Sequence, residues 1–189
     1  MSGLPSFLRD YFSGLALCGM AGFVLIVAAL HAVQPGYDAR HQLMSELALG
    51  PYGGFLLAAF TSLALATACL AAALYHARAH RSMVALLGLA ALCFQGAGLF
   101  QLHTATRLHV GLIAAAFVLC GLAMAGLPRA LAAKRLRHPR VFSWGLGGAM
   151  AAFAALDLPI GLAQRLSAAT LLIWMVIVAV QLRTLRPKP

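Results

Sequence analysis

The stretch Gly53-Gly-Phe-Leu-Leu-Ala-Ala-Phe-Thr-Ser-Leu-Ala-Leu-Ala-Thr-Ala-Cys-Leu-Ala-Ala-Ala-Leu-Tyr-His76 contains no charged side chain. A helix crosses the hydrocarbon of a bilayer with about 20 apolar residues. A run of this length and polarity therefore predicts a membrane-spanning helix. Working outward, comparable runs predict spans at 11–33, 82–101, 108–127, 141–157 and 166–184. Six spans within 189 residues make one integral membrane domain, 1–189, all-α. The fifth run is the shortest and holds Gly145, Gly147 and Gly148, which predicts close packing against a neighbour. The first run is too long for the apolar core of a cleavable signal, so it reads as an anchor helix.

Composition supports this reading. The chain is 62% hydrophobic and 10% charged, with mean hydropathy +0.90. A soluble domain carries about 25% charged residues. The net charge of +10 does not point to nucleic acid, because the basic residues lie between apolar segments rather than in a stripe. With the N-terminus cytoplasmic, eleven of the fourteen Lys and Arg residues fall on the cytoplasmic side, among them Arg129, Lys134, Arg135, Arg137 and Arg140. The positive-inside rule thus predicts a multi-pass protein of the cytoplasmic membrane with both termini inside. Cys18, Cys69, Cys93 and Cys120 lie in apolar runs without metal-type spacing and read as small hydrophobes.

The outward side carries the chemistry. Asp38, Glu46 and Asp157 are three of only four acids in the chain, and they share this side with Arg40, Arg107 and Arg165 and with His31, His41, His103 and His109. The longest outer connection runs from Gln34 to Gly54. Asp38 is a good N-cap and Gly50 a good stop, which predicts a short interfacial or re-entrant helix over 38–49. His41 and Ser45, and Gln42 and Glu46, are four apart and would share an edge. An unpaired charge at membrane depth costs several kcal/mol, so pairing of Glu46 with Arg165 and of Asp157 with Arg107 is expected. His31 reads as a hydrogen-bonded packing residue. Thr61, Ser62, Thr67 and Gln95 are expected to bond between helices.

The stretch Tyr37-Asp38-…-His41-…-Ser45-Glu46-Leu47-Ala48-Leu49-Gly50-Pro51-Tyr52-Gly53 resembles the signature loop of a prokaryotic membrane family catalogued as domain of unknown function 998. Phe100, His109, Arg165 and Trp174 stand where that family's later motifs fall. Gln101 and His103 depart from it, occupying positions where the family has Pro and Asp. The resemblance implies a six-helix membrane protein and supplies no established activity. Any activity that depended on that Asp would be changed here.

Three functions fit these residues. In the first, Asp38, Arg40, His41, Ser45, Glu46, His103, Arg107, His109, Asp157 and Arg165 line an outer polar pocket for a small amphiphile or lipid headgroup. In the second, the protein is a membrane-embedded hydrolase or transferase. His109 would be base or ligand, Glu46 acid/base or ligand, and Arg165 the oxyanion stabiliser. A transition metal such as zinc could then sit among His41, Glu46, His103 and His109. In the third, the cluster is a structural clasp. The acylation motif Gly-x-Ser-x-Gly is absent, which speaks against Ser45 as a nucleophile. Mid-membrane acids and broken helix pairs are absent too, which speaks against a transporter.

Overall fold

The computed structural model describes residues 4–131 and 136–185. They form α1 (Leu4–Val33), a 3-10 segment (Met44–Leu49), α2 (Phe55–His76), α3 (Arg81–Leu99), α4 (Thr106–Ala130), α5 (Pro139–Ala155) and α6 (Ile160–Arg183), with no strand among the described residues. Five helices, α1, α2, α3, α4 and α6, are long and apolar enough to cross a membrane. The 17 residues of α5 place it just below that length.

Each helix packs on its neighbour in sequence, and α6 returns to pack on α1 and α2, which closes the bundle. Short connections between successive helices make these neighbours antiparallel. Hydrogen bonds identify the two ends. At one, Arg9 on α1 donates to the Leu185 carbonyl after α6 (2.8 Å), and the His80 N–H reaches the Ala130 carbonyl of α4 (3.0 Å). The Arg137 N–H reaches Gln181 of α6 there as well (2.6 Å). This end carries Arg9, Arg78, Arg81, Arg129, Arg137, Arg140 and Arg183, whereas Lys134, Arg135, Arg186 and Lys188 lie outside the described residues. At the other end, the Gln34–Gly54 connection rests on the start of α6.

The core is a continuous set of Ala, Leu, Met and Phe side chains around Trp174, which is fully buried. Trp174 on α6 donates its indole N–H to Ser143 on α5 (2.9 Å), satisfying a polar atom that burial would otherwise strand. Close backbone approach falls at Gly19, where a Cβ would lie 2.8 Å from the Ser62 carbonyl of α2, and at Gly98, where it would lie 2.8 Å from Phe60. The close packing expected of the Gly-rich fifth helix holds at Gly147, where a Cβ would lie 3.5 Å from Met124 Cβ of α4, and not at the other two glycines. A Cβ on Gly145 or Gly148 would meet nothing within 4 Å, because those positions face open space. Thr67 is likewise not an interhelical bond: its hydroxyl bonds back to the Leu63 carbonyl one turn earlier (2.8 Å). Of the four cysteines only Cys120 is buried, and Cys18 is exposed on the flank of α1.

The 38–49 segment is also not one helix. Asp38 caps a single turn, accepting the Arg40 N–H (2.9 Å), while its carbonyl accepts the Gln42 N–H (2.8 Å). Leu43 is then extended (φ −66°, ψ 149°), and the 3-10 segment begins at Met44. A continuous helix would need the carbonyls of residues 40–42 for its own ladder. Those of Arg40 and Gln42 are taken by α6, so the helix breaks there. Gly50 does end the segment, its N–H reaching the Leu47 carbonyl (3.4 Å).

Candidate functional site

Arg165, in the second turn of α6, is the centre of the polar network. Its Nη1 donates to the carbonyls of Gln42 (2.9 Å) and Gly161 (2.8 Å). Its Nη2 donates to Nε2 of His31 (2.9 Å) and to the hydroxyl of Tyr37. Four of the five guanidinium N–H groups are thereby engaged. A guanidinium can only donate, so Nε2 is the acceptor in this contact, and Nδ1 faces the Val27 carbonyl (2.6 Å). Tyr37 accepts from Arg165 and donates to the Leu43 carbonyl (2.8 Å), and its ring packs edge-on against His31. Burial raises the Tyr37 phenol above its ordinary pKa, and the adjacent guanidinium opposes that shift only in part.

Two further hydrogen bonds fasten the loop to α6. Leu162 donates its N–H to the Arg40 carbonyl (3.0 Å), and Gln164 accepts the Met44 N–H (2.7 Å). Gly161 allows the approach: a Cβ there would stand 2.3 Å from the Gln42 carbonyl oxygen and within 2.8 Å of those of Ala39 and Arg40.

The expected ion pairs are replaced. Glu46 accepts the Leu43 N–H (2.8 Å) and a long contact from Gln42 (3.4 Å), closing the start of the 3-10 segment in the manner of a capping box. It does not pair with Arg165. Asp157 and Arg107 are both exposed and do not pair either. Among the described residues the ion pairs are Arg9 with Asp10 and Asp38 with His41 (2.7 Å). The His41 ring and the Arg40 N–H hold the Asp38 carboxyl below its usual range. Arg165 is balanced by neutral acceptors, because a loop without its own ladder presents carbonyl groups that need donors.

His109 lies apart from this network. It is buried at the start of α4, and its Nδ1 donates to the carbonyls of Ala97 (2.9 Å) and Phe100 (3.0 Å). Those carbonyls belong to the end of α3, where no helical N–H follows. His109 therefore caps α3. Its Nε2 has no partner and borders a cavity of about 10 Å³ beside Phe60 and Gln101, the size of a single water site.

The ten candidate residues thus separate. Arg165 is clasped to the loop, Glu46 and Asp38 cap two short turns, and His41 extends from the Asp38 turn. His109 caps α3. Ser45 is buried, while Arg40, His103, Arg107 and Asp157 are exposed. No group of three or more His, Cys, Asp or Glu side chains among the described residues converges to hold a metal, so the set His41, Glu46, His103 and His109 is not assembled.

A larger cavity lies elsewhere. A cleft of about 640 Å³ opens between α4, α5 and α6, bounded by Phe117 and Gly121, by Trp144, Gly148 and Ala154, and by Gln164. Its walls are almost wholly apolar. Trp144, half-exposed at the Arg-rich end, donates its indole N–H to the Ala125 carbonyl (3.2 Å), and the Arg129 guanidinium lies 6.0 Å over its ring.

The family described as "Protein of unknown function (DUF998)" matches residues 16–181. The chain belongs to this family. No curated protein and no solved structure matches it. In this DUF998 chain the resembling positions have structural work: Tyr37 and Arg165 hold the loop, His109 takes the Phe100 carbonyl, and Trp174 ties α6 to α5. Gln101 lines the small cavity beside His109, and His103 is exposed.

Sequence reasoning missed Tyr37, Gly161 and Gln164 as members of the network, while His31 is the hydrogen-bonded packing residue it was read to be, with Arg165 as a partner. The signal available was local: a Gly and a Gln flanking an Arg in the first turns of a helix, where free N–H groups await acceptors.

Proposed function

We propose that this DUF998 protein is a non-catalytic membrane protein that binds the apolar tail of an amphiphile between α4, α5 and α6. The open cleft of about 640 Å³ carries this reading, since binding sites for small molecules are mostly apolar concavities of about 300–1,000 Å³. The hydrogen bonding of Arg165, Glu46 and His109 supports binding over catalysis. Arg165 and Glu46 are engaged by the loop around Gln42, and His109 lies apart from them with its Nδ1 on the carbonyls that end α3. The outer network serves as a clasp that fixes the start of α6, one wall of the cleft.

In this reading the bundle crosses the cytoplasmic membrane six times with both termini inside. The short α5, about 25 Å long, spans as the sixth helix and leaves the cleft beside it. The excess of Arg on one end supports that orientation. Reporter fusions at the C-terminus, active only in the cytoplasm, test it; activity of a periplasm-dependent reporter instead would reverse it.

The binding test is native mass spectrometry of the protein released from a mild detergent. The wild type should retain lipid-mass adducts, and Gly148→Leu, which fills the cleft from a position with free space around it, should lose them. Equal adducts on both proteins would sink the reading.

A further inference from the structure

We infer that the cleft between α4, α5 and α6 takes one acyl chain of an anionic phospholipid, with its phosphate held at the Arg129–Trp144 end. This rests on the amphiphile-binding reading and adds the headgroup class, the leaflet and the residue that selects it.

The length suits an acyl chain. On α5 the cleft runs from Ser143 to Ala154, twelve residues or about 16 Å of helix. An extended chain entering at the Trp144 end lies along the groove over that length.

The two ends differ in charge. At one, Gln164 already accepts the Met44 N–H and Ile160 is an exposed apolar side chain. No Lys or Arg lines the cleft itself, so a cation at either end acts from beside it. At the other, Arg129 lies over the Trp144 ring, and Arg137 and Arg140 are exposed on the same connection and helix start. None of these three has a carboxylate partner among the described residues, whose ion pairs lie elsewhere. A tryptophan with its indole N–H bonded and its ring half in the apolar phase is the side chain expected at headgroup level. The Arg129 guanidinium does not line the cleft but lies exposed 6.0 Å from the centroid of this ring, which does, and from there it can reach phosphate oxygens. A zwitterionic headgroup would set its own cation against these arginines, whereas an anionic one would not.

The open side of the cleft could also seat a second copy of the chain or another helix. Neither would need the cation at its mouth. The acyl chain is favoured because a basic end and a long apolar run meet at Trp144.

The experiment uses the full chain in nanodiscs of phosphatidylcholine with a minor fraction of phosphatidylglycerol. Lipids retained after extraction are counted by native mass spectrometry for wild type, Arg129→Gln and Gly148→Leu. The wild type should retain phosphatidylglycerol several-fold above its share. Arg129→Gln should lower that preference by about fivefold, as expected for one basic side chain at an anionic surface, and leave phosphatidylcholine retention unchanged. Gly148→Leu should abolish retention of both. If Gly148→Leu abolishes retention but the wild type shows no preference for phosphatidylglycerol, the cleft binds chains and the headgroup assignment is overturned. If Gly148→Leu retains lipid as the wild type does, the amphiphile-binding reading fails with it. A wild-type dimer that becomes monomeric in Gly148→Leu, with no lipid retained by either, would assign the cleft to a second copy and overturn the proposal.

Discussion

Nη2 of Arg165 donates to Nε2 of His31 at 2.9 Å, joining the start of α6 to the end of α1 across 134 positions of sequence. The same guanidinium holds the Gln42 carbonyl and the Tyr37 hydroxyl, so one side chain fastens two helices and the loop between α1 and α2. Removing it strands a half-buried imidazole nitrogen and a loop carbonyl together. Hydrogen bonds to charged groups each contribute about 1.5–3 kcal/mol. Arg165→Ala should therefore lower the detergent Tm by roughly 10 °C, using about 2–4 °C per kcal/mol for a domain of this size. Arg165→Lys should recover little of it, because an ammonium cannot reach four acceptors in the geometry of a planar fork. A thermal unfolding scan that left Arg165→Lys at the wild-type midpoint would refute the fork geometry.

Gly161 makes a sharper prediction. A Cβ at this position would meet three loop carbonyl oxygens at 2.3–2.8 Å, and these are backbone atoms that cannot rotate away. Gly161→Ala should displace the 39–42 turn from α6 while raising the intrinsic helix propensity of α6 itself. The expected result is a loss of more than about 2 kcal/mol, the range of strained or overpacked substitutions, with protease cleavage appearing between Tyr37 and Leu43. Gly148→Ala, in open space, should leave both unchanged and serves as the control.

How far the sequence disclosed this arrangement follows from the range of each interaction. The apolar runs disclosed the helices because hydropathy is local: the 53–76 run becomes α2 over Phe55–His76. The fifth run, 141–157, becomes a 17-residue helix in which Gly147 meets Met124 while Gly148 faces a cleft, because a Gly-rich stripe is equally compatible with close packing and with empty space. Arg165 was legible as a site centre, yet its partners were not. Charge counting assigned it Glu46, but it sits on His31, Tyr37 and the Gln42 carbonyl, and their positions depend on tertiary packing over more than a hundred residues. Gln164 stood beside it in sequence without any property that marks an acceptor for the Met44 N–H.

His109 should behave as a cap rather than as a base. Its Nδ1 donates to two carbonyls at the end of α3. An Asn side chain presents an N–H close to the Nδ1 position, whereas a Gln side chain places its N–H nearer to Nε2. His109→Ala should cost about 2–4 kcal/mol from the lost hydrogen bonds and the space left behind. His109→Asn should restore part of that loss and His109→Gln less. Midpoints of chemical unfolding for the three variants decide it, and equal losses in all three would remove the capping role.

The pH response of the loop follows from two groups whose shifts act in opposite directions along the pH axis. Asp38 has its carboxyl held below the usual range by the His41 ring and the Arg40 N–H. Its contribution is present above the unfolded carboxylate pKa and is lost as pH falls through the lower folded value. Tyr37 has its phenol raised by burial, with Arg165 opposing. Its contribution is present below the unfolded phenol pKa of about 10 and is lost as pH rises through the higher folded value. The loop should accordingly be most firmly docked between these limits and loosen at both extremes. Tyr37→Phe should be less stable at neutral pH, having lost the hydroxyl that accepts from Arg165 and donates to Leu43, and should flatten the alkaline limb alone. Asp38→Asn should flatten the acid limb alone. Proteolysis rates across the Tyr37–Leu43 loop from acid to alkaline pH measure both. A wild-type alkaline limb that persists unchanged in Tyr37→Phe would show that another group governs it.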